Sequence, residues 1–243
     1  MLSFRVTTYN IHKCRGMDRR VRPKRIADVL REINADVVTL QEVVGMDEAA
    51  REHNQVAAIA EDLELDFRTG ENRRLRGSAY GNAVLSRWPI ASDRNHDLTW
   101  RMYEPRGCLD VRISLPNSAK TALQVFNVHL GTGYFERRYQ GHRLLEVIAG
   151  DPNTPTPKII LGDFNEWTRG LTTRLLSRHW NSAEPEARLG RARTYPGVFP
   201  LLHLDHVYYN SALTLKSVLV HRTRLALAAS DHLPIVAEFI LDS

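Results

Sequence analysis

Polar residues able to do chemistry recur at the ends of apolar runs. "VTTYN" ends in Asn10, "VVTLQE" in Glu42 and "VFNVH" in His129. "IILGDFN" ends in Asp163 and Asn165, "LLHLDH" carries Asp205, and "ASDH" brings Asp231 and His232 just ahead of "LPIVAEF". Groups at strand ends are held rigidly by the sheet behind them, which is where ligand and catalytic side chains collect. One carboxylate in such a place is usually a cap or a turn residue, and Gly162, Asp163 and Asn165 all suit a turn. Six elements that together hold four carboxylates, two imidazoles and two carboxamides are hard to explain as caps. Converging carboxylates repel unless a cation sits among them. Oxygen donors with no cysteine among them favour Mg²⁺, with Mn²⁺ or Ca²⁺ as alternatives, over zinc. Glu42 leads as a ligand because "LQEV" surrounds it with apolar neighbours. Asp231 and His232 read as a metal-binding or orienting carboxylate beside a general base, with Asp163 and Asp205 as further orienting groups.

These residues need elements to carry them. Runs with strand length and β-branched content lie at 4–10, 36–43, 82–88, 109–115, 122–130, 158–164, 203–210, 215–221 and 234–241. Helical spacing marks 23–34, where Pro23 suits a first turn and Ile26, Val29, Leu30 and Ile33 share a face. It also marks 134–149 through Leu144, Leu145 and Ile148; further helices are expected across 46–64 and 169–179. Strands outnumber helices, yet helices separate several of them. The pattern predicts two sheets packed together with helices outside, a layered α/β or α+β arrangement. One domain over 1–243 is expected, with the Pro-rich 150–158 as a loop rather than a linker. The strand ends at 4–10 and 159–165 look alike, too weakly to define a repeat.

Bulk properties agree with a globular chain and narrow its partners. Of the 243 residues, 43% are hydrophobic and 25% charged, which leaves enough apolar side chains for a sizeable core. No stretch approaches the length of a transmembrane helix, and the first residues lack the apolar segment of a secretory signal, so a cytoplasmic address is expected. Cys14 and Cys108 are the only cysteines, which suits a reducing compartment and excludes a zinc–cysteine site. Net charge is +5 with a pI near 9.4, and basic residues cluster at 14–25, 73–76 and 136–143. Such clusters favour polyanions, although solvated arginines alone give the same composition.

In order and in local wording the chain resembles the endonuclease/exonuclease/phosphatase superfamily, the deoxyribonuclease I-like proteins, in a compact bacterial subgroup. The matching pieces are "TYN" (8–10), "LQEV" (40–43), "GNAVLSRWPI" (81–90), "NVHLG" (127–131), "GDFNEW" (162–167), "LDHVY" (204–208) and "SDHLPI" (230–235). The resemblance implies a four-layered α/β sandwich, two mixed β-sheets face to face with helices outside, and metal-dependent phosphoester cleavage at one rim. It implies that Glu42 is the Mg²⁺ ligand, with Asn10 and Asp231 close to the metal. It implies that Asp163 and Asn165 contact the attacking water and the scissile phosphate, that Asp205 orients the catalytic His232, and that His129 is a second phosphate-facing histidine. His232, polarised by Asp205, or Asp163 itself would take the proton from water.

Departures from the superfamily pattern bear on the substrate. "FNVHLG" stands where the apurinic-site nucleases carry a tyrosine motif and points to the histidine-bearing branches. A carboxylate partner for the second histidine has no anchored match in 66–80, Glu71 being the nearest candidate. His12 and Lys13, just past Asn10, either touch phosphate or lie in an exposed loop. The expected substrate is nucleic acid, DNA first, with Trp100 and Trp167 as further contacts and Trp88 as core packing. A phospholipid surface or a small phosphoester is the alternative, with "YPGVFPLL" (195–202) as its only apolar candidate. A non-catalytic binding module would suit a chain that had lost Glu42, His232 or Asp163, and all three are present. A monomer is expected.

Overall fold

The computed structural model describes residues 1–45, 54–116, 122–149, 156–167, 170–183, 193–197, 199 and 201–241. Its strands are β1 (Leu2–Asn10), β2 (Val37–Val44), β3 (Asp66–Leu75), β4 (Ser78–Ser86), β5 (Ile90–Asp97), β6 (Gly107–Ser114), β7 (Ala122–His129), β8 (Lys158–Asp163), β9 (Asn181–Ser182), β10 (Asp205–Tyr209), β11 (Thr214–Val220) and β12 (Ile235–Leu241). Its helices are α1 (Pro23–Ile33), α2 (Gln55–Leu63), α3 (Tyr134–Ala149), α4 (Leu171–Leu176) and α5 (Arg224–Ala229). The strands form two six-stranded sheets, β11-β12-β1-β2-β4-β3 and β5-β6-β7-β8-β10-β9.

Each sheet is antiparallel except for one central parallel pair, β1 with β2 and β7 with β8. A parallel pair needs a crossover, and α1 and α3 supply it. The apolar stripe of α1 (Ile26, Val29, Leu30, Ile33) packs with Tyr9, Val38 and Leu40 on the outer face of the first sheet, together with residues of α2 and α5. Leu144 and Ile148 of α3 pack with Phe126, Val128 and Ile160 on the outer face of the second. Between the sheets lies the central core, including Phe4, Val6, Val37, Leu123, Val125, Ile159, Leu161 and Phe239. The result is the expected four-layered α/β sandwich.

Strand alternation explains where a site can form. Side chains two apart share a face, so the inner face reads Phe4, Val6, Thr8, Asn10 along β1 and Leu123, Val125, Asn127, His129 along β7. Along β8 it reads Ile159, Leu161, Asp163. Each begins apolar and turns polar toward one rim. Under that rim Gln41 Nε2 donates to Asn127 Oδ1 at 2.7 Å, and Asn127 Nδ2 donates to the Leu40 and Ala83 carbonyls at 3.0 and 2.8 Å. These bonds tie the two sheets together where apolar packing stops.

Three strands escape the sequence pattern: β3, β5 and β9. All three are sheet edges. "DFRTGENRRL" and "IASDRNHD" are polar because one side of an edge strand meets solvent and charge protects it from further pairing. The helix expected over 46–64 is seen at Gln55–Leu63, and the one over 169–179 at Leu171–Leu176; residues 46–53 and 169 lie outside the described residues, as does most of the 150–158 loop. Trp88 packs edge-on against Phe4 at 6.1 Å, as core packing requires. Both cysteines are free and buried.

Candidate active site

Two local devices aim the carboxylates. Val38 and Leu40 face outward, so a regular β2 would turn Glu42 outward too. The register with β4 slips between Leu40 and Val43, and Glu42 takes φ 57°. This bulge re-aims Glu42 to the inner rim and returns Val43 to the outer core. In β8, Gly162 has φ +146°, and a Cβ there would lie 1.9 Å from the Val128 carbonyl oxygen. Only glycine lets β8 run this close to β7 and present Asp163 beside His129.

The second sheet supplies a dry group. Asp163 and Asp205 lie directly opposite each other on β8 and β10 and are both buried. His232 lies against both: its Nδ1 is 2.9 Å from Asp205 Oδ2 and its Nε2 is 3.7 Å from Asp163 Oδ2. His129 Nε2 approaches the same Asp163 oxygen at 3.7 Å. Asn10 Nδ2 donates to it at 3.0 Å, and the Asn165 amide donates to Asp163 Oδ1 at 2.9 Å. Burial pushes the Asp163 carboxyl up to about 7 against the pull of His232. Burial works to lower His232, but the two aspartates outweigh it and raise the imidazole to about 10. Burial and the Arg106 guanidinium, 3.2 Å from His129 Nδ1, push His129 well below the usual range and leave it neutral. The group is therefore an imidazolium and a neutral imidazole on either side of one carboxyl of near-neutral affinity.

The first sheet supplies a wetter group. Asn10 Nδ2 also reaches Glu42 Oε1 at 3.4 Å, the Lys13 ammonium pairs with Glu42 Oε2, and His12 Nδ1 lies 3.5 Å from Asp231 Oδ1. Burial alone would raise the Glu42 carboxyl, but His129 and Lys13 outweigh it and hold it at about 2. Since His129 is neutral, the ammonium is the charge that keeps Glu42 ionised. His12, Lys13 and Cys14 have φ of 44°, 60° and 56°, a left-handed run that costs about 1–2 kcal/mol per residue. Such strain persists where surrounding bonds over-determine it. Gln55 accepts from the Val44 amide at 3.1 Å and donates to the Lys13 carbonyl at 2.9 Å, while the Ile11 amide donates to the Gln41 carbonyl at 3.1 Å.

The structure thus brings Asn10, Glu42, His129, Asp163, Asn165, Asp205, Asp231 and His232 to one rim. Glu71 does not join them: it is exposed on the edge strand β3, 3.3 Å from Arg74 Nε. An arginine, Arg106, holds the far side of His129 instead. Sequence reasoning passed over Arg106, Tyr195, whose ring lies 4.9 Å from that of His232, and Ser230, whose hydroxyl donates to the Asn10 carbonyl at 2.8 Å and fixes the segment carrying His232. Asn82 and Asn127, amides interrupting apolar runs, were signals of the buried network between the sheets.

Two places suit a cation differently. Donor atoms of Asp163, Asp205 and His232 lie within 4.8 Å of one another, but His232 carries protons on both nitrogens and has none free to ligate. Glu42 faces the Lys13 ammonium and lies 3.4 Å from Asn10 Nδ2, and Asp231 faces His12, so these oxygen donors are partly open. That set fits a hard divalent ion.

A sandwich with this acid–imidazole rim defines a class of phosphoester-cleaving enzymes. The chain belongs to the Endonuclease/Exonuclease/phosphatase family, whose model matches residues 7–232. It is a hydrolase of that superfamily, whose members are phosphoester hydrolases and typically depend on divalent metal. It is 35% identical over 249 residues to the uncharacterized protein YbhP of Escherichia coli (strain K12), covering 98% of this chain and 97% of that one. Among solved structures, it is similar to an endonuclease/exonuclease/phosphatase from Beutenbergia cavernae (TM-score 0.77, 23% identity, 99% of this chain and 72% of that one). It is also similar to the mannosyl-6-phosphatase of Bacteroides thetaiotaomicron (0.80, 18%, 98% and 100%) and to the human Nocturnin catalytic domain (0.75, 20%, 99% and 95%). Among the described residues no helix is long and apolar enough to cross a membrane.

Proposed function

We propose that this chain is a metal-dependent phosphodiesterase that cleaves nucleic acid, DNA first, by in-line attack of water on phosphorus. The observation that carries the reading is Asp163 Oδ2, approached by His129 Nε2 and His232 Nε2 at 3.7 Å each and by Asn10 at 3.0 Å. A water held against that oxygen attacks phosphorus, and its proton passes to Asp163, whose affinity near 7 suits a base at neutral pH. The bond from phosphorus to the leaving oxygen breaks, that oxygen keeps the bonding pair and takes a proton from solvent, and His232, oriented by Asp205, faces the phosphoryl group with its Nε2 proton. Neutral His129 and Asn165, the latter held by its donation to the Leu130 carbonyl at 2.9 Å, position the non-bridging oxygens. Glu42, with Asp231 and Asn10, would hold Mg²⁺ or another hard divalent ion, which supplies charge neutralisation at the phosphoryl group.

The chain acts in this reading as one domain, because both sheets contribute to the one rim. A monomeric, cytoplasmic protein is part of the same proposal. Purified protein with Mg²⁺ or Mn²⁺ is to be assayed on supercoiled and linear DNA, RNA, bis-p-nitrophenyl phosphate and phospholipid vesicles. DNA cleavage lost on chelation and in His232→Ala is expected.

One observation favours phospholipid as the second reading. Phe199 and Leu201 are 71% and 50% exposed on the segment whose Tyr195 lies against His232. Turnover of vesicle lipid but not DNA would select it.

A further inference from the structure

Past the phosphate-facing groups, a cleft of about 270 Å³ opens between the start of α3 and the segment after β8. Its walls include Tyr134, Arg137, Arg138, Glu166, Trp167 and Leu171. Thr132 at its lip is three residues past His129, and Trp167 is two past Asn165, so the cleft adjoins the site along both segments. Trp167 is 65% exposed and Tyr134 61%, far beyond what packing would leave for rings of this size. The aromatic surface continues on the neighbouring loop, where Trp100 stacks with Tyr103 at 4.9 Å and with Tyr139 at 6.5 Å. The Arg101 guanidinium lies 5.0 Å over the Trp100 ring. Tyr103 adjoins Gly133, which joins the two aromatic groups.

The solvent-facing charge on these walls comes from Arg137 and Arg138. Glu166 is buried and spent, accepting from the Thr172 and Thr173 amides at 3.0 Å each. That pair of hydrogen bonds holds Glu166, the residue before Trp167, against the start of α4. Arg137 is anchored on the Gly131 carbonyl at 3.2 Å, and Arg138 is exposed beside it.

We infer that this cleft is a stacking subsite for an unpaired nucleobase flanking the scissile phosphate, so that the enzyme acts on single-stranded or frayed nucleic acid. Exposed rings interleaved with arginines recognise bases by stacking and their phosphates by charge. A base inside a duplex has both faces covered and cannot stack on a protein ring. A volume at the low end of small-molecule sites takes one ring system, not a helix. An acyl chain would need aliphatic walls, and among the described residues lining the cleft Leu171 alone is aliphatic. The inference rests on the proposed function only for the position of the phosphate.

Binding is to be measured without turnover, in chelator, by titrating full-length protein with an eight-residue single-stranded oligothymidylate and following tryptophan fluorescence and anisotropy. The same length built of abasic residues keeps the phosphates and removes the bases. Trp167→Ala is expected to weaken the oligothymidylate roughly 5- to 100-fold while leaving the abasic oligomer unaffected, with Trp167→Phe restoring most of the loss. Equal loss on both oligomers, or no loss on either, overturns the subsite. Phosphatidylglycerol vesicles bound through Trp167, with oligothymidylate indifferent to it, would assign the rings to lipid and overturn it as well. Base-dependent binding in a protein that hydrolyses no phosphodiester would support the subsite and sink the hydrolase reading alone.

Discussion

The β1–α1–β2 and β7–α3–β8 units have the same topology and different chemistry. Each ends its first strand in a hydrogen-bonding side chain, Asn10 or His129, and its second near a carboxylate, Glu42 or Asp163. The side chains of Glu42, Lys13 and His12 are 19% to 33% exposed, while those of His129 and Asp163 are 4% or less. One layout therefore yields two dielectric environments. In the proposed function the wet unit would exchange its lysine for a metal ion. The dry unit fixes where protons sit, because moving an unpaired charge there is expensive.

The largest expected effects separate these roles. Asp163→Asn removes the proposed base and is expected to lower kcat/KM by about 10²–10⁴-fold, with no recovery at raised Mn²⁺. Glu42→Gln is also expected to lower activity strongly, but excess Mn²⁺ should recover part of it, since the loss lies in ion affinity. Metal titrations of activity for both variants decide this. Recovery of Asp163→Asn by Mn²⁺, or none for Glu42→Gln, would reverse the assignment of the two halves.

Next comes stability against pH in the metal-free protein. His232 is raised from 6.5 to about 10 in the fold, so its stabilising contribution is complete below about 6.5 and is lost as pH rises through 10. Asp163 is raised from 3.8 to about 7, so its ionisation works against the fold, and that penalty grows between these values and is flat above. Asp205→Asn is expected to flatten the stability profile above pH 7, and Asp163→Asn the part below it. The effect should be on the order of 2 kcal/mol in each window, read as Tm against pH. A profile of unchanged shape in Asp205→Asn would remove the ion pair from the account.

The legible parts of the molecule are those where the chain alternates against a dry core. Ile159 to Leu161 ahead of Asp163, or Val125 to Val128 ahead of His129, announce both a strand and what its end presents. Edge strand β11 was legible, but β3 and β5 were not, because they meet solvent and lose the apolar period that marks a strand. The site's residue types could be read from strand ends, but not its pairings. Arg106 behind His129 comes from the loop before β6 and follows no period, and Glu71 was the wrong guess for that partner. The bulge at Glu42 was equally invisible, since it depends on register with β4. Glu42 was legible from its place at a strand end among apolar neighbours, and the resemblance added only what role it would have there.

The smallest expected effect tests the wet unit alone. Lys13 is held over Glu42 by three left-handed residues and by Gln55, so the ammonium stands where a divalent ion would be drawn. Lys13→Met removes the cation that competes for Glu42, and Mn²⁺ affinity measured by calorimetry without substrate should tighten by about fivefold, the scale of a partly exposed ion pair. Gln55→Ala, which frees the turn but keeps the charge, should move affinity less in the same direction. Competition and plain structural support predict opposite signs here, since a merely structural lysine would weaken metal binding when lost. Weaker Mn²⁺ binding in Lys13→Met would show that the turn builds the site rather than occupies it, and the two units would then differ in wetness but not in exchange.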